Sequence, residues 1–533
     1  MNQPPNNAPA PGDSEVPALL SFSRKRRIKE GIVALSVANC CFVRAWFDLL
    51  FDANRYFNKL PVLRVELLAL AVNLSGFALL VWLGMAVRRR FPRGLPRLVL
   101  DLSFLSLLIF PADFIRVQYL NWTDSELVGF LKQPAVMLCL LALAALLIWK
   151  HRPAALAVAV VTGITFPLAL FIAAKIILLC LNVIPVKECI SSPPPTPLLP
   201  VRQGQPRVVW IIFDETDYRL TFDQRPAGLE LPEFDRFRKE SLCADKAYPP
   251  GDNTLLSMPA LISGRRLSAV AQDGCDLSLT RSDTGASAEW SALPSVFSQA
   301  RELGLNTALV GWYHPYSRLL GGSLNYCSWY AFPAFEPARA TTFGGAIRQQ
   351  IASLAGPFHV RQLFIDICKD SLKEAVSLVA DPTYGLILLH LPPPHGPGVY
   401  LPDKNEFTRR GLPQPASYLN NLVLADHELG ALRRAIATSG QQADTWVILS
   451  ADHSWRNSKV YDGRRDYRVP FLVKGPGDGA PLTYSRQFNT VLTSDLILAI
   501  LRGEITNESK TATWLDAHGK PELPVGNTGE RSD

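Results

Sequence analysis

Five stretches within the first 184 residues are apolar for long enough to cross a bilayer, and no other feature constrains this chain as strongly. They run over 31–51, 66–87, 98–118, 133–149 and 154–184. A hydrocarbon core about 30 Å thick takes about 20 apolar residues in a helix. The first run carries Arg44 and Asp48, and the last carries Lys175. The fourth is short but free of charge between Val136 and Trp149. No cleavage pattern of a secretory signal stands out, so the first run is expected to remain as an anchor.

The charges between the runs agree on one orientation. Arg24, Lys25, Arg26, Arg27 and Lys29 precede the first run. Arg88, Arg89, Arg90, Arg93 and Arg97 separate the second and third, and Lys150 and Arg152 the fourth and fifth. The alternate loops are poorer, with Arg55, Lys59 and Arg64 in one and Lys132 in the other. Excess basic residues mark the cytoplasmic side. Residues 1–30 are therefore expected to be a cytoplasmic tail, and 31–186 a bundle of about five transmembrane helices. The net charge of +7 is concentrated around the apolar runs, which argues against a nucleic-acid partner. The expected location is a bacterial-type inner (plasma) membrane, multi-pass, with the later residues periplasmic or extracellular.

Residues 187–206 contain CISSPPPTPLLPVRQGQP, a proline-rich, extended linker. Beyond it, short β-prone runs recur at Val208–Phe213, Thr307–Gly311, Leu386–His390, Trp446–Ser450 and Val469–Val473. Helical patterns at 232–242, 292–303, 417–438 and 493–502 lie between them. Strands apolar on both faces, alternating with amphipathic helices, predict an α/β sandwich with a mostly parallel central sheet over 207–505. A polar tail, 506–533, is expected to end in disorder. Nine cysteines include no CxxC or zinc-type spacing. In an exported domain, some of Cys189, Cys243, Cys275, Cys327 and Cys368 could pair, with no connectivity fixed by the sequence.

Open sheets of this kind collect their sites at the carboxyl ends of strands. Asp214 and Glu215 follow the first strand, and Asp452 and His453 follow TWVILS. His395 lies just past LILLH, in PPPHGP. Carboxylate and imidazole groups gathered from separate strands suit a divalent metal. Between these clusters, residues 249–266 read PPGDNTLLSMPALISGRR. A turn-rich start leads into a helix with Thr254 at its N-terminus, where exposed N–H groups favour an anion. Thr254 suits a nucleophile there, or a simple helix cap.

These segments resemble, in order, the alkaline phosphatase/sulfatase superfamily, and within it the membrane-bound phosphoethanolamine transferases and lipoteichoic acid synthases. DET at 214–216 is similar to the early metal-ligand segment, and NTLLSMPALISG at 253–264 to the nucleophile segment. HGP at 395–397 resembles a substrate-site or second-metal histidine. YLNNLVLADHELG at 418–430 resembles the helix before the last core strand, and SADHS at 450–454 the late Asp-His pair. Counting back from Ser263-Gly264-Arg265 or from Pro259 places the nucleophile at Thr254. The sulfatase Pro and Arg after the nucleophile are replaced by Leu256 and Met258, and no cysteine begins a CxPxR segment. Conversion to formylglycine is therefore not expected. A histidine that the transferases carry after the Asp-His pair is missing. Arg456, Arg464, Arg465 and Arg468 stand there instead.

The resemblance implies a divalent metal cofactor, zinc first and Mn, Ca or Mg as alternatives, held by Asp214 and/or Glu215, Thr254, Asp452 and His453. It implies catalysis by Thr254 with His395, and substrate binding by His395 and Arg456. The expected reaction is a phospho-group transfer through a covalent phospho-threonine. The expected partners are the lipid bilayer, a phospholipid donor and an envelope glycan or lipid acceptor. The alternatives are a membrane-bound hydrolase of phosphate, phosphonate or sulfate esters, and an inactive sulfatase-like binding module.

Overall fold

The computed structural model describes residues 15–51, 56–57, 64–120, 124–183, 195–201, 204–331, 342–355, 357–477 and 479–525. Most of the expected linker, the first residues of the N-terminal tail and the last of the C-terminal one lie outside them.

Among the described residues, the first third is built of helices joined by short turns. Two helices among the described residues are long and apolar enough to cross a membrane, Arg64–Arg90 and Leu95–Val117, and they coincide with the second and third apolar runs. The first and fifth runs are broken, and the fourth is one shorter helix, Pro134–Trp149, of 16 residues. Helix Glu15–Cys41 gives way at Phe42 to Val43–Leu50. Pro134–Trp149 and His151–Ile164 meet at a bend of 94° and could form a third span as one broken segment. The fifth run is cut at Thr165, where Pro167 opens helix Phe166–Cys180. Proline is favoured in a first helical turn, where its missing N–H is not needed, and so suits the start of a new helix there. Charges inside the runs find partners: Arg44 meets Asp113 at 3.1 Å, and the Lys175 ammonium lies 4.2 Å from the Phe51 ring centroid.

The second part is an α/β domain with an eight-stranded sheet. In chain order its strands are β1 (Arg207–Phe213), β2 (Leu242–Ala244), β3 (Thr307–Trp312) and β4 (Tyr326–Tyr330). They continue as β5 (Leu386–Leu391), β6 (Thr445–Ser450), β7 (Phe471–Lys474) and β8 (Leu482–Tyr484). Across the sheet the order is β8-β2-β7-β6-β1-β5-β3-β4. Only β7 runs against the others. It starts two residues later than its apolar run, because Pro470 has no N–H for a ladder.

β1, β3, β5 and β6 are buried from end to end. The pleat divides β1 cleanly. Val208, Trp210 and Ile212 join the core that includes helices Thr254–Ser263 and Thr493–Leu501. Val209, Ile211 and Phe213 join the core under helices Pro232–Lys239 and Ala416–Thr438. The stretch set apart in sequence as a polar tail is partly built into the fold. Asn507 caps helix Glu508–His518, which buries Thr511 and Leu515. Val525 then donates its N–H to the Pro250 carbonyl at 3.0 Å. Cys275, in the turn between strands Leu267–Asp273 and Asp276–Arg281, is disulfide-bonded.

The two parts dock. Helix Phe343–Ala352 lies along helix Arg64–Arg90, where Asn73 donates to Gln350 Oε1 at 2.9 Å and Gln350 to the Glu66 carbonyl at 2.9 Å. Tyr56 and Phe57, which precede that long helix, are buried in the first core of the α/β domain.

Candidate active site

Three adjacent central strands end at one place. β1 runs out into Asp214, whose N–H still donates to the Leu391 carbonyl at 3.0 Å. β5 carries His390 opposite Ile212 of β1. β6 leads through Ala451 to Asp452 and His453. Asp214, His390 and Asp452 are each fully buried. One ligand atom from each lies within 4.8 Å of the others.

Helix Thr254–Ser263 brings the hydroxyl to this cluster. Asn253 caps the helix through its side-chain oxygen, which accepts from Leu256 N at 3.0 Å. All ten helical residues are buried, so the helix is fixed by packing as well as by its cap. Thr254 Oγ1 lies 3.3 Å from Asp214 Oδ2 and 3.3 Å from His453 Nε2.

The cluster fits a cation. Asp214 Oδ1, His390 Nε2 and Asp452 Oδ2 are buried with no hydrogen-bond partner, and a buried polar atom without one is costly. The two imidazoles are aimed by their other nitrogens. His453 Nδ1 bonds the Ser454 carbonyl at 2.9 Å, so Nδ1 holds the proton and the Nε2 lone pair faces Asp214 and Asp452 at 3.6 and 3.5 Å. His390 Nδ1 bonds the Tyr316 hydroxyl at 2.8 Å, and its Nε2 faces Asp214 Oδ2 at 3.5 Å. Burial pushes His453 down to about 3 and His390 to about 4. Burial, then the charge of Asp452, holds Asp214 well above the usual carboxylate range. Two carboxylates with two neutral imidazoles are a donor set that zinc accepts.

The remaining expected residues surround this cluster. Glu215 has a left-handed backbone, φ 67°, and donates its N–H to Asp452 Oδ1 at 3.1 Å. It accepts from Arg456 N at 3.1 Å and faces Arg456 Nε at 3.7 Å. Tyr418 holds that turn, donating to the Glu215 carbonyl at 3.1 Å while stacked on Trp455 at 4.0 Å. The Arg456 and His395 side chains are half-buried. His395 bonds the Gly396 carbonyl through Nδ1 at 2.7 Å and sits edge-on to Trp312.

Three contributors were not singled out in the sequence. His390 was readable only as one polar residue in the apolar strand LILLHL. His314 donates through Nε2 to the Thr254 carbonyl at 2.9 Å and accepts through Nδ1 from the Tyr56 hydroxyl at 2.7 Å. Tyr56, which comes from the helical third, thereby touches the nucleophile segment through one imidazole.

A family model described as Sulfatase matches residues 206–502. No curated protein matches the chain. Among solved structures, the chain is similar to Ps i-CgsB in complex with k-i-k-neocarrahexaose, at 15% identity over 60% of this chain and 75% of that one, TM-score 0.43. It is also similar to a protein in the alkaline phosphatase superfamily from Vibrio parahaemolyticus, at 13% identity over 59% and 71%, TM-score 0.38. A third is murine ectonucleotide pyrophosphatase/phosphodiesterase 5 in an inactive form with AMP, at 11% identity over 56% and 95%, TM-score 0.36.

Proposed function

Residues 206–502 make this chain a member of the sulfatase family, and from that premise we propose a membrane-anchored, metal-dependent enzyme that transfers a phospho group through Thr254. The observation that carries this reading is the Thr254 hydroxyl, 3.3 Å from both Asp214 and His453, beside three buried ligand atoms without partners.

Asp214, His390 and Asp452 would hold the ion, with His453 completing a set of four. When bound, a divalent ion lowers the pKa of a nearby hydroxyl and offsets charge developing on a phosphate. The hydroxyl proton of Thr254 leaves toward Asp214 Oδ2, 3.3 Å away. Thr254 Oγ1 then bonds phosphorus as the bond to the leaving alcohol breaks, and His395 gives that alcohol its proton. An acceptor hydroxyl releases the phospho group by the reverse sequence, restoring Thr254. A side chain with a hydroxyl and no thiol at this position supports phosphoryl chemistry over formylglycine-dependent sulfate hydrolysis. Arg456, half-buried beside Glu215, suits a non-bridging oxygen.

Two helices long and apolar enough to cross a membrane support anchoring, and the disulfide at Cys275 supports an oxidising compartment for the domain. Five crossings would put the domain outside the cytoplasm. Tethering raises the effective concentration of a lipid donor at the site, which favours a transferase of the phosphoethanolamine or phosphoglycerol type. Thr254→Ala should lower turnover about a thousand-fold or more with unchanged expression. Trapping with a labelled phospholipid should place label on Thr254 in the wild type only. Unchanged turnover in the variant refutes the nucleophile, and label lost to water with no acceptor makes the enzyme a hydrolase.

A further inference from the structure

The opposite end of the helical third holds a cavity of about 470 Å³ that no part of the proposed reaction uses. Its wall brings together Arg26, Lys29, Arg88, Arg89, Arg97 and Arg152 from segments scattered through the helical third. Two carboxylates oppose them. Glu30 pairs with Arg26 at 3.3 Å and Arg89 at 3.0 Å. Asp101 is fully buried and binds Arg88, Arg97 and His151. Six cations against two anions leave an excess of four positive charges around one concavity. Val33, Met85 and Leu156 give it an apolar side.

The Asp101 cluster explains why the basic residues converge instead of splaying into solvent. Arg97 also donates to the Arg88 carbonyl at 3.1 Å, and Arg152 to the Pro92 carbonyl at 2.6 Å. The guanidinium groups are thus held in place before any ligand arrives. Arg88 lies 22 residues along the helix from Glu66, the residue that docks the α/β domain. At about 1.5 Å per residue the separation is roughly 33 Å, close to one bilayer core.

We propose that this cavity binds the phosphate headgroup of an anionic phospholipid in the leaflet remote from the active site. The inference rests on the membrane-anchored reading. Clustered guanidinium groups match phosphate oxygens, juxtamembrane basic pockets recognise anionic headgroups, and the apolar side accommodates the start of an acyl chain.

The test uses the full-length protein in detergent, with thermal unfolding followed in phosphatidylglycerol, phosphatidylcholine or inorganic phosphate. Phosphatidylglycerol should raise Tm by several degrees over phosphatidylcholine, and inorganic phosphate should add little. The double variant Lys29→Gln/Arg152→Gln, which leaves the Asp101 cluster intact, should lose most of that increment. Equal effects of the two lipids overturn the proposal, as does a full effect from inorganic phosphate or an undiminished increment in the variant. If the variant fails to fold, native mass spectrometry of wild type decides the matter: retained phosphatidylglycerol supports the site, and indifference to headgroup overturns it. Alkaline carbonate extraction separates the two readings. A chain released from membranes refutes anchoring, whereas a chain that stays without lipid preference refutes this cavity alone.

Discussion

His390 is the residue whose role the fold changes most. In sequence it belongs to a strand; in space its Nε2 is one of three orphaned buried atoms around a common point. His390→Ala or Asp452→Asn should reduce zinc affinity by about two orders of magnitude, read as metal content after dialysis. Glu215→Gln should retain stoichiometric zinc, because its carboxylate serves Arg456. Asp214, Asp452, His453 and Thr254 were legible because strand ends and a helix start are marked by local sequence. The turn that sets Glu215 beside Arg456 was not, because it depends on a positive φ that adjacent residues do not dictate. His314 offers a separate test through pH. Burial pushes it down to about 3, so below pH 6.5 the unfolded chain binds the extra proton and the folded one does not. The stability His314 contributes is therefore complete above 6.5 and declines as pH falls. Relative to His314→Gln, the wild type should lose up to about 1.4 kcal/mol per pH unit on going from 6.5 toward 5, measured by urea unfolding of both proteins at each pH.

At the scale of elements, the first strand is held at both ends by polar contacts. Its last residue leads into Asp214; its first, Arg207, is buried and donates through Nη2 to the carbonyls of Leu378, Val379 and Asp381. These close the C-terminus of helix Pro357–Ala380, where a cation is favoured by the free carbonyls and the helix dipole. Arg207→Ala should cost about 3 kcal/mol, read as a lower denaturation midpoint, without loss of metal binding by the folded fraction. The central strands of the α/β domain could be read from their apolar runs, whereas the short outer strands β2, β4 and β8 and the helices Phe343–Ala352 and Pro357–Ala380 were not read. The breaks in the helical third were harder to read. Hydropathy averages over Phe42 and Thr165, where the helices part, although Pro167 in the first turn after Thr165 announces a break. The helix Glu508–His518 escaped for the opposite reason: its polar composition masks the two residues, Thr511 and Leu515, that it buries.

For the whole molecule, the charge pattern predicts that a reporter fused after residue 190 is active only when exported; a cytoplasmic signal would invert the orientation. The arrangement of the two parts could not be foreseen from composition, because a proline-rich connection suggests freedom between them. Tyr56 and Phe57 contradict that freedom by lying inside the α/β core, with the Tyr56 hydroxyl on His314 and the Arg318 guanidinium on the Tyr56 carbonyl at 2.9 Å. An α/β domain produced without the helical third would therefore carry a hole where two aromatic rings belong, behind the His314 that holds the Thr254 carbonyl. Such a fragment would not be a miniature of the whole: the helical third also furnishes two rings of the α/β interior, so a soluble version needs residues 56 and 57 supplied to it.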